Sequence, residues 1–292
     1  MKLLNFHTYG GIRLGVVEED RVFDLSSAAR QEPTFTSVVS LVRGGVEALR
    51  KAREIVGFGR ANHALWRALE GLEHAPLVSR ESRLFAVGLN YADHAAENNL
   101  PPPDLPIIFG KLASGITPHG QGIPLPPGTD QVDYEAEFAF MVGCRARRVE
   151  EAAAAICIAG YTIMNDVTAR DFQIKDGQWF RGKNCDGFAP LGPWLVTADE
   201  IPQPDNLEIT LTLNGHIRQH SNTKDQFFKP AALIAFLSQT LTLEPGDIIS
   251  TGTPSGIGFH AKPQVFLRSG DIVEIAIEQI GVLRNSVFRP GE

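Results

Sequence analysis

Cysteine is scarce in this chain: Cys144, Cys157 and Cys185 are the only three in 292 residues. Odd in number and widely spaced, they exclude a disulfide framework and a thiolate metal site, and a reducing cytoplasm is the expected setting. An excess of positive charge is also missing. With 27 Lys and Arg against 34 Asp and Glu, the formal net charge is −7, which argues against a nucleic-acid partner and an anionic membrane surface. Long apolar runs are absent too. The longest, from about Ala152 to Met164, is broken by Gly160 and falls short of the ~20 residues that a spanning helix needs. The first eight residues hold no apolar core of signal-peptide length. What is present is ordinary for a soluble globular protein: 43% hydrophobic and 21% charged residues, long enough for one large domain or a large one with a small companion.

Texture divides the chain near His74-Ala-Pro76. Before it, Leu3 to Tyr9, Arg13 to Val17 and Arg21 to Leu25 read as a small antiparallel meander. Residues 36 to 72 then carry apolar positions at helical spacing, such as Val38, Leu41 and Val42, then Ala64, Leu65 and Leu69. From Leu84 onward, short β-like stretches alternate with Pro and Gly, predicting a sheet-rich architecture. Helices are expected over Tyr91 to Asn98, Val149 to Ile158 and Pro230 to Thr240. Asn214-Gly215 signals a hairpin.

Three carboxylates are the most informative feature. In Asp133-Tyr-Glu-Ala-Glu-Phe-Ala-Phe-Met-Val-Gly143 the pattern alternates, so a strand would project Glu135 and Glu137 from one face and Ala136, Phe138, Phe140 and Val142 from the other. Asp166 lies in Gly160-Tyr-Thr-Ile-Met-Asn-Asp166. Two readings stand. The acidic face is solvated, or the three carboxylates form an all-oxygen site of the kind preferred by magnesium or manganese. Without a cation such a cluster would force one pKa upward.

Other residues fit around that core. In Val87-Gly-Leu-Asn-Tyr-Ala-Asp-His-Ala-Ala-Glu97 a strand turns into a short helix, with Asn90 as a candidate N-cap and Asp93 complementing the helix dipole. His94 and Glu97 then share a helical face, where a carboxylate holding one imidazole nitrogen frees the other to accept a proton from water. A surface His–Glu pair is the plainer alternative. Arg170 and Gln173 follow Asp166 by four and seven residues. Lys183, in Gly182-Lys-Asn-Cys-Asp-Gly-Phe188, could steady an oxyanion or be a solvated lysine, and Lys111 after an apolar strand has the same two readings. Ser250-Thr-Gly-Thr-Pro-Ser-Gly-Ile-Gly258 lacks phosphate-loop and dinucleotide-binding spacing. Its N–H groups and the Thr253 hydroxyl suit a small carboxylate, or a plain turn.

Six of these segments, in order across residues 84 to 260, resemble the fumarylacetoacetate hydrolase family. They are Gly88-Leu-Asn-Tyr-Ala-Asp-His94 with Glu97, Phe109-Gly-Lys111, Asp133-Tyr-Glu-Ala-Glu137, Asn165-Asp-Val-Thr-Ala-Arg-Asp-Phe-Gln173, Gly182-Lys183 with Asp186 and Phe188, and Thr251-Gly-Thr-Pro-Ser-Gly256. The resemblance implies an α+β protein: a mostly β catalytic domain of mixed β-roll type over 76–292, a small α+β accessory domain over 1–75, and a homodimer. It implies magnesium or manganese on Glu135, Glu137 and Asp166, with His94 and Glu97 activating water from a lid helix and Lys183 as the active-site lysine. Arg170, Gln173 and Thr253 match positions that orient substrate or the metal's water shell, and the matching Phe109-Gly-Lys111 segment makes Lys111 a candidate contact. The triple proline 101–103 departs from the family pattern and bears on lid closure.

The implied substrate is a small dicarbonyl or dicarboxylic acid, and the implied reaction is hydrolytic C–C cleavage of a 2,4-dioxo acid. Decarboxylation or keto–enol isomerisation on the same scaffold is the alternative. A non-catalytic dicarboxylate-binding member ranks below both.

Overall fold

The expected meander forms. In the computed structural model, which describes residues 1–292, Lys2–Thr8, Gly11–Glu18 and Arg21–Asp24 pair antiparallel. Leu3, Leu14, Val16 and Phe23 turn into a buried core. The helical reading of residues 36 to 72 holds only over Val38–Arg43 and Gly45–Gly59, the first capped by Ser37, whose hydroxyl accepts the Ser40 N–H at 3.1 Å. Beyond Gly59 the expectation fails. Trp66–Ala68 is a strand paired with Arg21–Phe23, because the Trp66 indole packs edge-on to Phe23 with ring centroids 5.2 Å apart. That burial outweighs a weak local helix preference.

The meander joins a larger sheet. Lys2 and Leu3 pair with Val196 and Leu195, and the sheet runs on from Ala189–Thr197 through Ile158–Asn165, Ala136–Val142, Ile248–Ser250 and Leu84–Gly88 to Ile107–Lys111. Residues 1–75 therefore share a sheet and a core with the remainder of the chain. A second, five-stranded sheet contains the Asn214-Gly215 hairpin, Glu208–Leu213 against His216–Asn222, and is extended by Ile272–Ile277 and Gly281–Phe288.

Strand Ala136–Val142 lies between two cores. Phe138, Phe140 and Val142 point into the one shared with the five-stranded sheet, whereas Ala139 and Met141 point into the one shared with the N-terminal segment. Every residue of this strand is buried, so a solvated acidic face is excluded. Helices are few and short. Ala92–Glu97, Glu151–Ala154 and Pro230–Thr240 fall where expected, while Arg170–Asp176 and Phe180–Lys183 had no clear helical signal. The class is α+β with strands predominating, and no helix is long and apolar enough to cross a membrane.

Candidate active site

Strand register assembles the carboxylates. Ala136 pairs with Asn165 and Glu137 with Met164, so the start of one strand meets the end of the other. The Asp166 N–H donates to the Glu135 carbonyl at 2.9 Å, and the Glu135 N–H donates to Asn165 Oδ1 at 3.0 Å. One carboxylate oxygen from each of Glu135, Glu137 and Asp166 then lies within 4.8 Å of the others. Their exposures of 6%, 1% and 0% mean that water does not screen this cluster.

Three cations are folded in against them. Lys183 donates to Glu135 Oε2 at 2.8 Å and to Asp166 Oδ2 at 2.6 Å. Lys111 is paired with the other oxygen of Asp166. Arg170 reaches Asp133 Oδ2 at 2.8 Å and Glu135 Oε1 at 2.7 Å, and donates to Gln173 Oε1 at 3.2 Å. Asp133 has no place among the sequence-derived candidates, yet it is fully buried and accepts the N–H groups of Gly258 and Phe259 at 2.8 and 3.0 Å. It stands two residues before Glu135 in the same alternation, which is the signal that could have found it.

The balance is uneven: four buried carboxylates face three buried cations. Burial works against the charged form of Glu135, but Lys183 and Arg170 overcome it and hold this carboxyl down at about 2. Glu137 has no such partner. Burial first, then the charges of Asp166 and Glu135, push it well above the usual carboxylate range, against hydrogen bonds from the Ser250 hydroxyl and from the Gly252 N–H at 3.1 Å. Burial also lowers Lys111 despite Asp166, whereas Asp166 and Glu135 outweigh burial at Lys183 and raise it. A compact set of hard oxygen donors with surplus negative charge suits a hard divalent cation. The residues fit a metal ion.

Beside the cluster, the short helix carries His94, whose Nδ1 lies 3.1 Å from Glu97 Oε2. Asn90 does not cap this helix, because Tyr91 takes the cap position. Asn90 instead clamps two loops, donating to Phe228 O at 2.9 Å and Thr251 O at 2.8 Å. Asp93 fastens the helix start, accepting the Ser221 and Ser255 hydroxyls at 3.0 and 3.2 Å. The glycine-rich loop does grip carboxylates, but they belong to the chain itself. Gly252 N–H goes to Glu137, Gly256 N–H to Glu97 and Gly258 N–H to Asp133. Thr253 accepts from Gln219 Nε2 at 2.8 Å.

These groups border one cavity of about 410 Å³, a size typical of small-molecule sites. His94, Glu135, Arg170, Gln173, Lys183 and Thr253 line it. Glu137, Asp166 and Lys111 lie behind that wall, and Glu97 reaches it through His94. His260 and Asn98 also line the cavity. They are joined by a 2.9 Å bond between Nε2 and Oδ1, and no sequence spacing pointed to them.

Residues 83–288 match the family model described as fumarylacetoacetate (FAA) hydrolase C-terminal. The chain belongs to the fumarylacetoacetate hydrolase family.

Solved structures of this family superpose over nearly the whole chain. A fumarylacetoacetate hydrolase from psychrophilic Exiguobacterium antarcticum is 32% identical with a TM-score of 0.85, covering 99% of both chains. A 5-carboxymethyl-2-hydroxymuconate delta-isomerase from Mycobacterium smegmatis is 34% identical with a TM-score of 0.77 over 100% of both. A maleylpyruvate hydrolase from Sphingobium sp. SYK-6, in complex with manganese (II) ion and pyruvate, is 28% identical with a TM-score of 0.81 over 99% of both. Hydrolases and an isomerase thus share the fumarylacetoacetate hydrolase family fold seen here. The Exiguobacterium structure covers 99% of the chain, so the likeness extends beyond the family-model segment into residues 1–82.

Proposed function

We propose that this chain is a divalent-metal-dependent hydrolase that cleaves a C–C bond in a 2,4-dioxo acid, with 76–292 as its catalytic portion and 1–75 as an accessory unit. The observation that carries the reading is the surplus negative charge of the buried triad beside a cavity that also presents His94 paired to Glu97. Magnesium or manganese held by Glu135, Glu137 and Asp166 would supply Lewis-acid polarisation of substrate oxygens and neutralise developing negative charge.

The chain's own groups handle water and protons. Glu97 fixes the His94 imidazole through Nδ1, leaving Nε2 to take a proton from water and the carboxylate to stabilise the imidazolium that forms. Burial disfavours a charged Glu97, but its bonds from His94 and the Gly256 N–H prevail and keep it below the usual carboxylate range. It therefore stays ionised at neutral pH. The activated water attacks the carbonyl farther from the carboxylate end. The bond from that carbon to the methylene then breaks, releasing a carboxylic acid and an enolate that takes up a proton to give pyruvate. Lys183 has three N–H donors, two of them spent on Glu135 and Asp166, and the third is available to the oxyanion. Gln173 and Thr253 orient the substrate head from the cavity wall. Arg170, engaged by Asp133 and Glu135, acts by fixing Glu135.

Keto–enol isomerisation is the second reading, supported by the likeness to the Mycobacterium smegmatis isomerase. Activity assays with acylpyruvates, oxaloacetate and hydroxymuconate-type acids, run with manganese and with a chelator, separate the two. Hydrolysis predicts carboxylic acid and pyruvate from acylpyruvates, abolished by the chelator. Isomerised product alone, or cleavage indifferent to the chelator, would defeat the proposal.

A further inference from the structure

The cavity wall combines a charged cluster with a larger apolar surface, the two meeting where Lys183 Nζ lies 5.3 Å from the Phe109 ring centroid. Both cations that line it are paired to the carboxylate cluster, Arg170 to Asp133 and Glu135 and Lys183 to Glu135 and Asp166, and the remaining Lys183 N–H is the one assigned above to the oxyanion. His260 is the other basic group besides His94 to line the space, and its Nε2 is engaged by Asn98. Burial holds the His260 imidazole below its ordinary value, so it is neutral at pH 7. Arg181, next but one to Lys183 in sequence, is tied to Asp176 by bonds of 2.6 and 2.5 Å and stacks over Phe172 at 4.0 Å.

Much of the rest of the wall is apolar, including Leu89, Leu100, Phe109, Ile174, Trp179 and Phe259. Phe109 and Trp179 meet edge to face at 5.3 Å. The indole also lies so close to Gly88 that a Cβ there would fall 2.6 Å from the ring, so glycine lets this aromatic pair pack against the backbone. Leu89 is held at φ 53, a conformation costly for a side chain bearing a Cβ. The fold tolerates that cost where it aims a leucine at the cavity.

We propose that the substrate group beyond the dioxo acid head is an apolar, preferably aryl, tail and not a second carboxylate. The inference rests on the hydrolase reading and refines it. A distal carboxylate would leave water for a wall whose cations are engaged by the chain's own carboxylates and the substrate head, whereas a flat apolar group would gain contact with Trp179 and Phe109. The cavity of about 410 Å³ leaves room for such a group beyond a pyruvyl head.

The test uses the manganese-loaded full chain and three 2,4-dioxo acids whose acyl ends carry methyl, phenyl or 2-carboxyethyl. The phenyl compound should exceed the carboxyethyl compound in kcat/KM by about tenfold or more, given the cost of an unpaired buried charge. Equal or faster turnover of the carboxyethyl compound would overturn the proposal and leave the hydrolase reading intact. Ile174 lines the cavity yet is 62% exposed, so Ile174→Arg adds a cation without disturbing the core. It should narrow the phenyl-to-carboxyethyl ratio by about tenfold. An unchanged ratio would put the tail elsewhere and defeat the proposal. If none of the three is cleaved, the hydrolase reading fails by itself. Calorimetric affinities of the same acids then decide the tail preference, tighter phenyl binding sustaining it and tighter carboxyethyl binding refuting it.

Discussion

Gly256 donates its backbone N–H to Oε1 of Glu97 at 3.1 Å, so the glycine-rich loop holds the carboxylate that holds His94. Loop and helix meet at the group proposed to activate water. Glu97→Gln keeps a side chain that can still bond the loop but removes the charge that stabilises an imidazolium. Hydrolysis should fall by about a hundredfold, and His94→Ala should cost at least as much. Calorimetric manganese affinity should be unchanged in both. An undiminished rate in His94→Ala would remove it as the base.

The charge imbalance among the buried groups gives a stability prediction. A bound divalent ion should raise the melting temperature by about 5 °C or more when its concentration is a hundredfold above Kd. Glu137→Gln removes the carboxylate that lacks a cationic partner. The metal-free variant should melt no lower than the metal-free wild type, and added magnesium or manganese should no longer shift it. A full metal-induced shift in the variant would dismiss Glu137 as a ligand.

Gly252 sits at φ +88, and a Cβ there would lie 2.8 Å from the Val87 carbonyl oxygen and 3.0 Å from Asn90 Cβ. Gly252→Ala should destabilise the fold by about 1–3 kcal/mol. It should also weaken metal binding, since the displaced N–H is a partner of Glu137. Urea unfolding and metal calorimetry on the same variant check both effects.

Acid sensitivity is expected away from the site. The His74 and His119 rings lie 4.8 Å apart between centroids, tilted by 50°. His74 Nδ1 lies 3.1 Å from Pro193 O, and His119 Nδ1 accepts the Arg284 N–H at 3.1 Å. Burial, then the neighbouring His74 and Arg284, depress His119 from 6.5 to about 4, and burial lowers His74 as well. The unfolded chain therefore binds protons that the folded one refuses. Stability from this pair is fully present above about pH 6.5 and is lost as pH falls toward 4. His119→Asn retains an acceptor for Arg284 and removes one titration, so the fall in urea midpoint between pH 7 and 5 should be shallower. An identical slope would mean that the pair does not sense pH.

Local pattern made part of this structure legible. Alternation across Glu135 and Glu137, the 94/97 spacing and the Asn214-Gly215 turn are short-range signals, and each corresponds to an element that formed. The same alternation contains Asp133, whose role is set by Arg170, Gly258 and Phe259 from distant segments. Trp66 misled because its partner Phe23 is far away in sequence. Lys183 and Lys111 read equally well as solvated residues, since nothing local announces the carboxylates that bury them. Gln219 and His260 had no signal at all, and nothing local gave Ser250 or Asn98 its role, because their partners come from other segments. Pairing across the fold is where single-sequence reading loses its grip.

The first strand has a cost during synthesis. On the side away from Gly11–Glu18, Lys2 and Leu3 find their partners in Val196 and Leu195, so a nascent chain carries an open, partly apolar β edge until the ribosome has delivered most of the protein. Such pairing is slow and exposes the edge to other chains. Overproduction should therefore strain chaperone capacity, and a truncated transcript ending before residue 189 should yield insoluble product even though its own meander is complete.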